Sequence, residues 1–228
     1  MRVLITGASG YVGVPLCRTL LERGHTVRAL IRPRAEREMP PRVEVRIGNV
    51  LDAGDVQAAL ESQAGSALKH IDSLVHLVGT RHPAPWKARQ FDSVDEASLR
   101  ASVAAILASA SAHVSSPPTH LVFVSVAQPA PAMRAYVAAR TRCEGAIRAA
   151  GIPATVLRPW YVLGPGHRWP YALLPIYRLL EAIPATREGA IRLGLVTREQ
   201  MLKALVHAVE HPINSGVCVV GVDRIRAS

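Results

Sequence analysis

Residues 2–13 read Arg2-Val3-Leu4-Ile5-Thr6-Gly7-Ala8-Ser9-Gly10-Tyr11-Val12-Gly13. A short apolar run breaks at a glycine, and glycine then recurs at every third position. The stretch that follows carries Val12, Leu16, Leu20 and Leu21 at helical spacing before Gly24 supplies a stop. The order is strand, tight turn, helix. The same alternation continues down the chain, with strands predicted at Arg2 to Thr6, Thr26 to Ile31, Val43 to Arg46, Ser73 to Val78, Leu121 to Ser125, Ala154 to Leu157 and Val217 to Val220. These are continuous Val, Ile and Leu runs, as expected of strands that crossover helices cover on both faces. The pattern predicts an α/β fold, a doubly wound parallel sheet of the Rossmann type.

Helices are predicted at Tyr11 to Arg23, Asp55 to Ser62, Ser93 to Ala112 and Met133 to Ala150, the last stopped by Gly151-Ile152-Pro153. A further helix opens on the capping-box pattern Thr197-Arg198-Glu199-Gln200 and runs to about Glu210. Composition shifts once. From Pro159 to Pro184 prolines and aromatics cluster (Trp160, Tyr161, Trp169, Tyr171, Tyr177), which suggests a loop and a small lid. Residues 1–158 are therefore expected to form the core, and residues 159–228 a small C-terminal lid and substrate region completing the same domain.

The 228 residues are 49% hydrophobic and 19% charged, which fits a chain with a substantial core and excludes the composition of disorder. Cys17, Cys143 and Cys218 are odd in number and widely spaced, so they suggest neither a disulfide framework nor a metal-binding pair. No apolar run is long enough for a membrane-spanning helix or a signal-peptide core, and a cytoplasmic location is expected. The formal net charge is +10. Basic residues are spread along the chain without runs, and no nucleic-acid-binding motif accompanies them, so a nucleic-acid partner is disfavoured. A basic surface still steers anionic ligands inward.

Gly7, Ser9, Gly10, Tyr11, Val12 and Gly13 form a G-x-x-G-x-x-G turn at a helix N-terminus. Backbone N–H groups can approach a pyrophosphate there, and the helix end supplies partial positive charge. At the end of the second strand, Ile31-Arg32-Pro33-Arg34 carries no acid that could accept from a ribose 2′-hydroxyl. Arg32 and Arg34 suit a 2′-phosphate instead, which favours NADP over NAD.

The chain resembles the extended and atypical short-chain dehydrogenase/reductase superfamily, of the nucleotide-sugar epimerase/dehydratase and NmrA-like kind. The likeness rests on residues 1–10, on Ile47-Gly48-Asn49-Val50-Leu51-Asp52, on His76-Leu77-Val78-Gly79 and on Leu157-Arg158-Pro159 with Gly164-Pro165-Gly166. It implies that Asn49 and Val50 lie near an adenine, and that Val78, Gly79 and Pro159 line the cofactor. It also implies catalytic roles for Ser125, which would hold a substrate oxygen, and for Tyr136, the general acid/base. Arg140 stands where that superfamily places a lysine that holds the nicotinamide ribose, so both Tyr136 and Arg140 are expected to touch the cofactor. Glu144 matches the spacing that follows. Arginine keeps a positive charge beside Tyr136 but does not deprotonate, so it cannot join a proton relay.

His76 is read as a core histidine. His82, His167, His207 and His211 lack metal-ligand spacing, and no metal is expected. The stretch Trp160 through Tyr177 is either an apolar substrate pocket or the packing of a lid. The functional expectation is an NADP(H)-dependent oxidoreductase acting on a small carbonyl or hydroxyl compound, apolar or aromatic. The competing expectation is a non-catalytic dinucleotide-binding redox sensor or assembly scaffold. No motif specifies an oligomeric state.

Overall fold

The structure, a computed structural model, describes residues 1–36, 39–61, 70–112, 117–165, 179–180 and 183–228. Gly166, His167, Trp169, Tyr171 and Tyr177, named above, lie outside the described residues, as does Ser62 at the end of a predicted helix.

Seven parallel strands form the central sheet: β1 (Arg2–Thr6), β2 (Thr26–Ile31), β3 (Glu44–Ile47), β4 (Ser73–His76), β5 (His120–Val124), β6 (Ala154–Leu157) and β9 (Val217–Val220), in the order β3-β2-β1-β4-β5-β6-β9. Every pairing is parallel, beginning with Val3 opposite Val27 on one side and Ser73 on the other. The doubly wound sheet is thus as the sequence predicts. Boundaries differ by a residue or two, as at β4, where Leu77 N–H still donates to the Thr6 carbonyl (3.0 Å).

Side chains alternate across the sheet, so each strand contributes to two cores. Val3 and Ile5 pack with Leu16, Cys17 and Leu20 of α1 (Gly13–Glu22) and with Met201, Leu205 and Val209 of α6 (Arg198–Glu210). Leu4 faces the other way. It joins Val56 and Leu60 of α2 (Ala53–Leu60), Leu99, Val103 and Ile106 of α3 (Ala97–Ala112), and Cys143 and Ile147 of α4 (Arg134–Ala149).

The C-terminal region contains more order than a loop and lid. Tyr161–Leu163 (β7) and Leu195–Thr197 (β8) form a separate parallel pair, and Pro184–Arg192 (α5) and Val222–Ala227 (α7) are helical. The Thr197/Gln200 capping box is present, with Gln200 N–H donating to Thr197 Oγ1 (3.1 Å) and Thr197 N–H to Gln200 Oε1 (2.9 Å). Before α3, residues Phe91–Glu96 wind as a π-helical turn, so the predicted helix from Ser93 begins as regular α-helix only at Ala97.

One buried strand residue is charged. Arg28 on β2 has no exposed surface, and its Nη1 donates to the carbonyls of Ala59 (2.6 Å) and Glu61 (2.7 Å) at the end of α2, while Nη2 pairs with Glu44. These carbonyls have no partner within the helix, and the negative end of the helix dipole suits a cation. Arg28→Leu removes their donor and leaves Glu44 without this partner. The expected loss is about 2 kcal/mol of unfolding free energy, measured by urea denaturation.

Candidate active site

The loops singled out by the sequence leave the C-terminal edge of the sheet. β1 lies between β2 and β4, so successive connections diverge to opposite sides and a crevice opens at the strand ends. At its floor Gly7 adopts φ 75°, and Gly10 N–H donates to the Gly7 carbonyl (3.0 Å). A Cβ on Gly13 would lie 2.5 Å from the carbonyl oxygens of both Gly7 and Ala8, so only glycine permits this closure. No side chain caps the start of α1 after Val12; Val14 N–H donates to the Gly10 carbonyl (3.2 Å) and Pro15 carries no N–H, which leaves the Gly13 N–H available to an anion. Ser9 and Tyr11 flank the turn half-buried, the Arg198 guanidinium lies over the Tyr11 ring (5.3 Å), and the Tyr11 hydroxyl fills the space that a Cβ on Gly164 would need.

Arg32 and Arg34 are both exposed at the end of β2, in a turn closed by Ala35 N–H to the Arg32 carbonyl (3.2 Å). Arg34 holds φ 72°, a conformation that costs a non-glycine residue about 1 kcal/mol or more. Asn49 is exposed after β3. Its Oδ1 accepts from Leu51 N–H (3.1 Å), and its own N–H donates to Asp55 (2.7 Å). Val50 is half-buried beside it. Val78 and Gly79 follow β4, and the backbone at Leu77–Val78 passes close to Gly7. Pro159 lies beside the end of β5, its carbonyl accepting from Ala127 N–H (3.0 Å).

The three candidate catalytic residues separate into two groups. Tyr136 and Arg140, one turn apart on α4, stay together, with the guanidinium 5.2 Å from the Tyr136 ring. Arg140 is buried. It donates through Nη2 to Asp95 Oδ1 (2.6 Å) and through Nη1 to the Val124 carbonyl (3.1 Å), while Nε has no hydrogen-bond partner among the described residues. Burial disfavours its charge, but Tyr136 and Asp95 outweigh burial and hold its pKa above the ordinary guanidinium value.

Ser125 belongs to the second group. Its Oγ donates to Glu144 Oε1 (2.7 Å), so its one proton is committed away from any substrate oxygen. Glu144 has no exposed surface and also accepts from Gln128 (2.8 Å) and from Arg158 Nε (2.9 Å). Burial pushes its carboxyl up, but the hydrogen bonds from Arg158 and Ser125 and the Arg158 charge outweigh that and hold its pKa below the ordinary value.

An open groove of about 490 Å³ runs between Gln128–Ala130, Arg158 and the α4 residues Arg134, Val137 and Ala138. These α4 positions share one helix face, and Tyr136 and Arg140 lie on another, so the groove is across the helix from the tyrosine.

His76 is a core residue, as its sequence context suggests. Its Nδ1 bonds Thr6 Oγ1 and Ser102 Oγ (both 3.1 Å), its Nε2 bonds Ser98 Oγ (3.2 Å), and burial, helped by the Arg140 charge, pushes its pKa down to about 3. Among the described residues no group of three His, Cys, Asp or Glu side chains could hold a metal ion.

A glycine cradle and a helix start without a side-chain cap suit an anionic dinucleotide. Comparison with known proteins agrees: a family profile described as NAD(P)H-binding matches residues 7–168. The chain belongs to this NAD(P)H-binding family. Its cofactor is a nicotinamide dinucleotide.

Among curated relatives, a 3-beta-hydroxysteroid dehydrogenase of Mycolicibacterium neoaurum is 38% identical over 79 residues, covering 34% of this chain and 21% of that protein. A 3-diazoavenalumate denitrifying reductase of a Streptomyces species is 28% identical over 177 residues, covering 73% of this chain and 58% of the reductase. The chain thus matches about a fifth of the dehydrogenase's length and less than two thirds of the reductase's. The UDP-N-acetylglucosamine 4-epimerase of Bacillus cereus shares the fold with TM-score 0.66 and 18% identity, over 97% of this chain and 79% of the epimerase. A short-chain dehydrogenase/reductase superfamily protein of Agrobacterium tumefaciens with bound NAD does so with TM-score 0.64 and 17% identity, over 97% of this chain and 77% of that one. The short-chain dehydrogenase/reductase resemblance is therefore borne out.

Asp95 and Thr80 are site residues that the sequence pattern did not single out. The available signal was a polar stripe, Asp95, Ser98 and Ser102, on the inward face of an otherwise apolar helix.

The buried histidines set a pH limit. Burial pushes His76 to about 3 and His120 to about 4, below their ordinary 6.5, so both are neutral when folded and take up protons on unfolding in acid. Their contribution is intact above about pH 6.5 and is expected to be lost as the pH falls toward 4, at about 1.4 kcal/mol per pH unit for each histidine. Urea titrations across that range measure the slope, and a flat profile contradicts the assignment.

Proposed function

We propose that the protein is an NADP(H)-dependent oxidoreductase of the short-chain dehydrogenase/reductase type, acting on a small carbonyl or hydroxyl compound. The observation that carries the proposal is the placement of Tyr136 and Arg140 beside Gly79, at the same sheet edge as the glycine turn and the uncapped start of α1. Gly7, Ser9, Gly10, Tyr11, Val12 and Gly13 would hold the pyrophosphate, Asn49 and Val50 the adenine, and Val78, Gly79 and Pro159 the nicotinamide half. The bound dinucleotide supplies hydride transfer. Tyr136 moves the proton at the substrate oxygen through its hydroxyl. Arg140 keeps its proton, orients the phenol and places its positive charge beside the nicotinamide ribose. Ser125, bonded to Glu144, fixes the end of β5, which leaves Tyr136 to hydrogen-bond the substrate oxygen.

Similarity to a hydroxysteroid dehydrogenase supports an apolar substrate. Trp86, 83% exposed on the turn Pro85–Lys87 that packs against α4, offers an apolar surface on that side. Residues 159–228 would complete the substrate side of the crevice. With all three cysteines free, a reducing cytoplasm is the proposed setting. The non-catalytic sensor is not favoured, because curated relatives are dehydrogenases and reductases.

The preference for NADP rests on Arg32 and Arg34, two exposed guanidiniums at the end of β2 that can chelate a phosphate through several charged hydrogen bonds. Replacing Arg32 and Arg34 by Ala is expected to weaken NADPH binding by at least about tenfold while changing NADH binding far less. An equal loss for both, by calorimetry, rejects the 2′-phosphate assignment. Tyr136→Phe is expected to lower turnover by roughly 10²- to 10⁴-fold with cofactor affinity nearly unchanged. A panel of aldehydes, ketones and hydroxysteroids with both reduced cofactors provides the assay. Intact NADPH binding without turnover of any member rejects the enzyme.

A further inference from the structure

The turn Phe91–Glu96 is π-helical, a winding that often marks a functional position. It carries Asp95, which has no exposed surface and both carboxylate oxygens engaged. Oδ1 accepts from Arg140 Nη2 (2.6 Å), and Oδ2 accepts from the Thr80 N–H (3.0 Å) and the Thr80 hydroxyl (2.5 Å). Thr80 follows Gly79 in the loop leaving β4, and a Cβ on Gly79 would run into Arg140 Nη2. On its other side the guanidinium is held by the Val124 carbonyl (3.1 Å) and flanked by the rings of Phe123 (5.4 Å) and Tyr136 (5.2 Å).

A buried cation needs a counter-charge as well as hydrogen bonds, and a carboxylate in contact supplies both. Hydrogen bonds alone would immobilise Arg140 and leave a bare positive charge beside the crevice. We infer that Asp95 is a positioning and charge-balancing residue of the Tyr136 centre: it fixes Arg140, ties it to the β4 loop through Thr80 and cancels its charge. The inference rests on the dinucleotide assignment above. It adds that an anionic dinucleotide meets a neutral pair there, so binding strength is given up for a fixed geometry.

Calorimetry with NADPH at neutral pH, comparing wild type with Asp95→Asn, tests this. The substitution keeps the shape and an acceptor for Thr80 and removes the charge. The expected result is a gain in NADPH affinity of roughly three- to tenfold, because a negative charge near the phosphates has gone. Unchanged affinity in a folded variant overturns the inference; the Asn amide also turns donors toward Arg140, so a loss is read against the Arg140→Gln pair below, where equal affinities overturn it.

If Asp95→Asn binds more weakly, or circular dichroism shows that it does not fold, the comparison moves to Arg140→Gln and the double substitution Asp95→Asn/Arg140→Gln. The single variant leaves the carboxylate uncompensated. It is expected to bind NADPH at least about threefold more weakly than the double variant. Equal affinities overturn the inference. Wild-type protein that binds neither NADPH nor NADH overturns the dinucleotide assignment itself, a separate result from either variant comparison.

Discussion

The site depends on how tightly the chain folds back between β1 and α1. With a Cβ on Gly13 only 2.5 Å from two carbonyl oxygens, any side chain there would force the turn open and carry the start of α1 away from the sheet edge. That helix start has no side-chain cap, and with Val14 N–H bonded to the Gly10 carbonyl and no donor on Pro15, the Gly13 N–H gains a partner only from water or from an anion. The turn also sets the position of its neighbours. Gly7 lies against the backbone at Leu77–Val78, just after β4, and Tyr11 occupies the space left open at Gly164, so one compact turn registers the β4 loop and the C-terminal segment together.

At the other end of the crevice the organising element is a buried guanidinium. Removing such a group from water costs several kcal/mol, and the surroundings must return that through well-aligned partners. Arg140 reaches Asp95 and the Val124 carbonyl at once with two nitrogens of a planar fork, which a single ammonium on a flexible stem would do less well. The fork therefore joins three chain segments: the end of β5, the turn before α3 and, through Asp95, the β4 loop. Tyr136 is oriented by this fixed cation and by Phe91, whose ring lies 5.1 Å away.

Much of this architecture is legible in the sequence, because strands covered on both faces announce themselves as apolar runs and the glycine spacing fixes the strand-turn-helix junction. Arg28 interrupts such a run without ending the strand, since its partners lie on a helix about thirty residues further on and have no local signature. β7 and β8 have three residues each, too few to show a period. The direction of Ser125 was readable in principle. Strand parity places it on the Phe123 side of the sheet, which faces α4, and Glu144 is a buried position of that helix. Asp95 was hidden for a different reason. Its meaning comes from Arg140, 45 residues later, which the polar stripe it forms with Ser98 and Ser102 does not disclose.

Charge is distributed unevenly along the crevice, and this gives the strong basic surplus of the chain a local meaning. Many arginines are tied to acids, among them Arg2 to Asp72, Arg23 to Glu210 and Arg158 to Glu144 through both Nε and an Nη, a geometry that favours arginine over lysine. At the Tyr136 end Arg140 is likewise matched by Asp95. Arg32 and Arg34 are different: among the described residues neither has an acidic partner, and both are exposed at the end of β2. An anionic ligand approaching the sheet edge therefore meets two exposed guanidiniums at one end of the crevice and a neutralised pair at the other. Attraction is concentrated at the former and geometric control at the latter, so charge that draws a ligand in need not perturb the phenol that handles the proton.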